Sequence, residues 1–321
     1  MALLRRPEAG AVIGTVVVFA FFVGFAGGKG FLGFQGVGNW LGNAAEIGIG
    51  ALAVGVLIIA GEFDLSMGSV LAVGALTVGL CTGYYHWPLW ASIALALALG
   101  VIIGLFNGLI VVRTGLHSFL VTLATQFLLY GAMLGFARLL TGQTTLIVTF
   151  TGAARVLFAG TWDYFPAEVA WWLGLTALVT WVLSKTVFGN WIYATGGNLR
   201  TARMAGVKTA QVKISCFVFT AVASVLVGII ETAQTSTVSV EQGQLYEFEV
   251  IIAAVVGGVL MTGGYGSAIG VLFGSLTYGI ADLGIFYTGW NTDWFQAFLG
   301  GLLLVAVLSN SWLRRKMLST R

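Results

Sequence analysis

Residues 65–112 read LSMGSVLAVGALTVGLCTGYYHWPLWASIALALALGVIIGLFNGLIVV, 48 consecutive positions without one Asp, Glu, Lys or Arg. A second such stretch, residues 250–281, runs for 32 positions between Glu249 and Asp282. Only 8% of the chain is charged and 58% is apolar, more than a water-soluble fold can cover. Crossing the hydrocarbon of a bilayer takes about 20 predominantly apolar residues as a helix, which satisfies its own backbone groups where no water can. The 48 positions therefore predict two crossings. Tyr84-Tyr85-His86-Trp87-Pro88 supplies interfacial aromatics and a breaker where the turn between them should fall.

Working outward, 321 residues at roughly 30 per span and connection predict an all-α polytopic membrane protein of about ten transmembrane helices. The expected cores are 11–28, 42–60, 66–84, 90–112, 118–137, 168–184, 214–234, 249–261, 268–286 and 294–313. They form a single transmembrane domain over 1–321, so any ATPase, kinase or DNA-binding module must be another chain. The 46 glycines against 3 prolines fit helices that approach closely through small residues. Cys81 and Cys216 share no metal-ligand spacing with His86 or His117, and both read as small core residues.

Charge sets the expected orientation. With a cytoplasmic N-terminus, Arg5, Arg6, Arg113, Lys185, Arg200, Arg203, Lys208, Lys213, Arg314, Arg315, Lys316 and Arg321 fall inside, leaving Lys29, Arg138 and Arg155 outside. Twelve of the 15 basic residues are then internal, and an even number of spans makes both termini cytoplasmic. The opening Met1–Arg6 followed by an apolar run resembles a signal peptide but is read as the start of a retained helix.

Several features interrupt this regular pattern. The eighth core is short and bracketed by Gly257-Gly258 and Gly263-Gly264, the mark of a broken helix lining a translocation path. Gly74-Ala-Leu-Thr-Val-Gly79 matches Gly274-Ser-Leu-Thr-Tyr-Gly279 at four of six positions, which suggests an internal repeat. Glu46, Glu62, Asp64, Glu231 and Asp282 lie in or near apolar runs, where a carboxylate costs about 2.5–3.5 kcal/mol unless it is paired or faces water. Asp64, just before Ser66, is placed either to cap the next helix or to touch solute; Glu62 is open to both kinds of role. Glu241, Glu247 and Glu249 lie in an outer segment, 231–249, with four Glu and no Lys or Arg, suited to a protein partner or to a solvated turn. The candidate path residues are Glu62, Asp64, Ser66, Glu247, Glu249, Gly257, Gly258, Gly263 and Gly264.

The connection 185–213 holds five basic residues and no acidic one. Within it Asn198 can cap a short helix that Gly206 ends, with Leu199, Ala202 and Ala205 on one face and Arg200 and Arg203 on another. A free helix of about two turns is marginal in water. The segment is either a solvated positive loop or a docking helix for a cytoplasmic partner.

The run Phe188-Gly-Asn-Trp-Ile-Tyr-Ala-Thr-Gly-Gly-Asn198, with Ala202 and Ala205-Gly206-Val207, resembles the cytoplasmic loop of permease subunits of bacterial ABC importers for ribose, xylose and related sugars. Ala60-Gly-Glu-Phe-Asp-Leu-Ser-Met-Gly-Ser69 resembles the family's Gly-Gly-Ile-Asp-Leu-Ser-Val-Gly-Ser motif, and Ser118–Thr125 is a weaker match. Gly243, Tyr246–Glu249, Ala253–Gly258 and Gly263–Ser267 resemble its late glycine-rich signature. The resemblance runs from about residue 40 to 310. It implies a homodimer in the bacterial inner membrane, with ATP and Mg bound by a separate cytoplasmic ABC ATPase and a periplasmic solute-binding protein outside. It implies no cofactor in this chain and no nucleic-acid partner; lipid surrounds it. Residues Asn198, Leu199, Arg200, Ala202, Arg203, Ala205 and Gly206 would couple to the ATPase, and transport would proceed by alternating access.

Glu62, Phe63 and the pair His117-Ser118 depart from the family pattern, and the sequence does not choose among pentoses, hexoses, polyols and other small polar solutes. An ion-coupled secondary transporter using Glu46, Glu62, Asp64 and Glu231 as a relay is the alternative. An enzyme is not expected, since no His-Glu-x-x-His, Gly-x-Ser-x-Gly or phosphate-loop motif is present.

Overall fold

The computed structural model describes residues 7–318, the side chains of 309–318 excepted. Met1–Arg6 and Arg321 lie outside the described residues, as do the side chains of Arg314, Arg315 and Lys316, so the start of the first helix and part of the charge asymmetry rest on sequence alone. Each expected core coincides with a helix. In chain order these are α1 (Pro7–Ala26), α2 (Phe34–Ile59), α3 (Met67–Val78, continued by a π-helical turn over Gly79–Tyr84), α4 (Leu89–Thr114), α5 (Ser118–Thr141), α6 (Gly152–Ala159), α7 (Glu168–Lys185), α8 (Val187–Gly197), α9 (Leu199–Met204), α10 (Thr209–Thr235), α11 (Tyr246–Val256), α12 (Ala268–Thr288) and α13 (Trp294–Leu318).

Among the described residues seven helices are long and apolar enough to cross a membrane alone, and α7 and α8, bent by 78° at the break between them, reach that length and hydropathy only when taken together. The eighth predicted core survives only as the 11-residue α11. The predicted 185–213 loop is largely helical, because α8 and α9 occupy it. Outside the expected elements lie α6, an antiparallel pair of three-residue strands, Thr145–Ile147 with Thr237–Ser239, and two two-residue strands, Thr161–Trp162 and Phe165–Pro166. Such short pieces leave no periodic signal to read.

The chain divides into two compact units. The first holds the residues through Gly61, Asp163–Gly197 and the chain from Glu249 onward. Its centre is α2, whose Gly-rich and Ala-rich surface is buried on all sides. A helix apolar all round belongs in an interior. α12 packs along it: a Cβ at Gly279 would lie 2.5 Å from the Trp40 carbonyl, so only glycine lets the two backbones approach. Phe22, Phe31, Trp40 and Ile285 close one end as a cluster, with Phe31 stacked on Trp40 at 6.2 Å between ring centroids.

The second unit comprises Glu62–Trp162 and Asn198–Phe248. Here α10 is central and α4 lies along it through Gly100, Gly104 and Gly108, one glycine per turn, set against Ala221, Phe217 and Ile214. A methyl at Gly104 would sit 2.6 Å from the Val218 Cα. Lipid gives apolar helices no reason to leave it, so this close backbone contact is what holds the pair. The two units use the chain in parallel ways: α2 packs chiefly on α12, and α10 chiefly on α4. In each unit the main helix pair thus joins one helix from the first half of the sequence with one from the second. By contrast α5 is mostly exposed, with Phe127 at 70% and Leu139 at 80%, as a lipid-facing helix should be.

Candidate functional site

The segment between α2 and α3 is non-helical and buried, so its backbone amides must find partners without water. In the second unit Ser118 Oγ accepts from the Phe63 amide and Thr122 Oγ1 from the Leu65 amide, each at 3.0 Å. Asp64, completely buried, accepts from the Ser66 amide at 2.9 Å and the Ser66 hydroxyl at 2.6 Å, and from Thr220 Oγ1 at 2.7 Å. The Ser66 hydroxyl in turn accepts from Asn107 Nδ2 at 3.0 Å, and Asn107 Oδ1 accepts from Thr125 at 2.7 Å. Asp64 therefore braces α3, α4, α5 and α10 rather than capping α3 through its first-turn amides: its carboxylate closes an Asx-type turn onto Ser66. Glu62 is ion-paired with Lys213 of α10, and both side chains are nearly buried. A pair from which water is excluded cannot lose one member without leaving a buried charge.

Glu247 and Glu249, neighbours in the sequence reading, fall in different units. Glu247 is 2% exposed and accepts from Gln126 Nε2 of α5 at 2.6 Å. Glu249 is hydrogen-bonded to the Tyr278 hydroxyl of α12. Glu231 accepts from Gln242 Nε2 at 2.6 Å, and Asp282 from Asn43 of α2. Glu46 also has a partner.

In the first unit, three of the motifs quoted above converge through glycine. The Gly264 amide donates to the Ile59 carbonyl at 2.8 Å, and a Cβ at Gly264 would lie 2.6 Å from the Gly197 Cα. One at Gly263 would lie 3.1 Å from the Gly61 Cα, and one at Gly196 would strike the Ile59 carbonyl. Gly258, Gly263 and Gly264 all have positive φ, which a side chain would strain. Tyr193 Oη donates to the Gly266 carbonyl at 2.8 Å and ties α8 to the same turn. Gly257 meets the Gly270 carbonyl of α12. These candidate path glycines thus act as points of backbone contact.

From Gly197 the chain passes directly into the basic helix α9. Asn198 caps it as expected, its Oδ1 accepting from the Thr201 amide at 3.0 Å, and Gly206 ends it at φ 81°. The predicted apolar face is only partly realised. Ala202 is buried and Leu199 half-buried, but Ala205 is exposed because the helix ends at Met204 and the chain turns. Arg200, Met204 and Ala205 face outward, Met204 at 73% exposure, while Arg203 Nε donates to Thr209 Oγ1 at 3.2 Å.

Lys213, Asn107, Thr125, Thr220, Gln126 and Gln242 are not among the site residues expected from sequence. Asn107 and Gln126 had a usable signal: each is a lone amide inside an otherwise apolar span, where an unpartnered polar group is costly. Among the described residues no group of His, Cys, Asp and Glu could hold a metal ion, and both cysteines are free.

Residues 36–307 match the family model described as branched-chain amino acid transport system / permease component. The chain is 29% identical to the fructose import permease of Rhizobium meliloti, covering 96% of this chain and 86% of that one. It is 26% identical to the xylose transport system permease of Escherichia coli, over 95% and 92% of the two chains. It is 31% identical to the ribose import permease of Haemophilus influenzae, over 89% and 88%. No solved structure matches the chain. These matches give no support to an ion-coupled carrier, and the relatives are transport permeases rather than enzymes. With motifs, helices and matched length in agreement, the chain belongs to this permease family and is the membrane-spanning permease component of an ABC importer.

Proposed function

We propose that two copies of this chain form the import route for a neutral sugar or sugar-like solute in the bacterial inner membrane. Each copy works as one transmembrane domain over 1–321, with both termini in the cytoplasm. A separate ATPase holding ATP and Mg docks on the basic 198–206 segment, and a periplasmic binding protein delivers the solute. The observation that carries this reading is the Asn198-capped basic helix α9, which leaves Arg200, Met204 and Ala205 exposed for a partner while Ala202 is buried. The naming of the relatives for fructose, xylose and ribose supports the solute class. Glu62 and Asp64 then serve as bracing groups beside the route, since each is committed to a partner.

The test separates docking from folding. Met204 and Ala205 are exposed, so Met204→Glu with Ala205→Glu should leave the melting temperature of the purified permease nearly unchanged, exposed substitutions costing within about 0.5 kcal/mol. ATP-dependent solute uptake should fall at least about tenfold, the equivalent of roughly 1.4 kcal/mol of lost coupling. Ala202→Glu, by contrast, should unfold the segment because Ala202 is buried. Undiminished uptake by the double variant would show that the ATPase docks elsewhere.

A further inference from the structure

In the second unit α6, Gly152–Ala159, belongs to none of the spans: its eight residues rise about 12 Å, less than half of what the hydrocarbon needs. It packs against α10, and its buried residues are Ala154 and Phe158. At about 3.6 residues per turn Val156 stands opposite that buried face, with Arg155 on one flank and Leu157 on the other. Val156 is 61% exposed and Leu157 42%. Arg155 is exposed as well and has no ion-pair partner among the described residues.

Trp90 fixes the depth of α6. The Phe158 and Trp90 rings lie 6.4 Å apart between centroids, and Trp90 stands in the first turn of α4, just past Pro88. It heads a line of exposed apolar residues along α4, Ala94, Val101 and Leu105, the side that a spanning helix turns to lipid. Tyr84, Tyr85 and Trp87, all exposed, mark the same level as the interfacial aromatic belt. α6 therefore lies at the edge of the hydrocarbon, against the lipid-facing flank of α4.

The composition of the segment tells what covers the free face. From Leu139 to Trp162 the chain carries a single charge, Arg155, and it also exposes Ile147 and Trp162. Water gains nothing from such a surface. A soluble protein partner would ask for a polar rim, which the segment 231–249 with its four Glu has and this one lacks. A bilayer interface takes apolar side chains at the acyl boundary and a cation at the phosphates. We propose that α6 is an interfacial anchor lying in the leaflet on the Tyr84–Pro88 side, the outer one by the charge layout, with Val156 and Leu157 in the acyl boundary and Arg155 on a lipid phosphate. The inference needs only a chain that spans a bilayer, so its failure would leave the import reading as it stands.

The test places a bimane label at Val156→Cys in the full-length permease, in vesicles of phosphatidylethanolamine and phosphatidylglycerol. Cys81→Ser removes the half-buried native thiol, and Cys216 is buried. Two references calibrate it: Glu241→Cys, exposed in the acidic segment, for water, and Phe127→Cys, 70% exposed near the middle of α5, for the acyl core. A lipid nitroxide near the headgroup should quench the Val156→Cys label at least about twice as strongly as one near the chain end, the reverse of Phe127→Cys. Aqueous iodide should quench it at most about half as strongly as Glu241→Cys. Leu157→Cys, as a second reporter, should give the same order. Arg155→Glu should weaken the headgroup-side quenching and raise that by iodide, while Arg155→Lys should keep both. Iodide quenching equal to that of Glu241→Cys would mean that water covers the face, and protection from both lipid nitroxides and iodide would mean that a protein does, a second copy included; either overturns the anchor. Unchanged quenching in Arg155→Glu would overturn the phosphate contact.

Discussion

The two units solve the same problem with different chemistry. In the first, the ends of α2, α8 and α11 meet backbone to backbone at Gly61, Gly196, Gly197, Gly263 and Gly264, with hardly a side chain between them. In the second, the start of α3 is held by side chains: Asp64, Ser66, Asn107, Thr125 and Thr220 in one chain of hydrogen bonds, and Glu62 with Lys213 beside it. A glycine contact is short-ranged and fails with one added methyl. A polar network fails by degrees, because each lost bond leaves the others in place unless a charge is stranded. The contrast sets contacts that tolerate no added atom against contacts that weaken one bond at a time.

The largest expected effect tests the stiff side. Gly196→Val places a Cβ carrying two methyl groups against the Ile59 carbonyl and breaks the turn that receives the Gly264 amide. Overpacking of this kind costs about 1–3 kcal/mol and more where backbone cannot yield, and loss of a buried hydrogen bond adds about 1 kcal/mol. The variant should yield no monodisperse protein after detergent extraction, read by size-exclusion chromatography. A well-folded Gly196→Val protein would show that the contact is looser than its geometry.

A smaller loss is expected on the polar side. Lys213→Met strands Glu62 and should destabilise by about 1–3 kcal/mol, less than for a fully buried pair because both side chains keep some exposure, while Glu62→Gln combined with Lys213→Met should recover most of that loss. Thermal unfolding of both single variants and the double variant gives the coupling. Additive losses would mean that the ion pair contributes nothing as a pair.

The smallest effect belongs to Asp64→Asn. Asparagine keeps an acceptor for the Ser66 amide but turns a donor toward one of the two hydroxyls, so about 1–2 kcal/mol should be lost. Asp64→Ala removes the acceptor for all three donors and should cost more. Equal melting temperatures for the two variants would contradict the bracing role.

Much of this was legible in advance, for particular reasons. Each helix core was visible because a crossing announces itself by length and absent charge. The cap at Asn198 and the stop at Gly206 were visible because helix ends are specified by one or two residues close in sequence. Lys213 was not, since nothing near it marks it as the partner of Glu62, 151 residues away. Glu247 and Glu249 looked alike as neighbouring acids, yet successive odd positions on a helix point to nearly opposite sides and meet different elements.

Sequence alone determined that this chain is helical, lives in a bilayer, turns at Tyr84–Pro88 and carries a capped basic helix after Asn198. Those properties depend on composition over about 20 residues or on caps within one turn. Tertiary structure alone decided which glycine meets which backbone, that Glu62 is neutralised by Lys213, and that Ala202 turns inward while Ala205 does not. The reason is the solvent: helices bathed in lipid are apolar on every side, so no amphipathic stripe records which face meets which neighbour, and pairing is left to shape and to scattered polar groups that only the folded chain brings together.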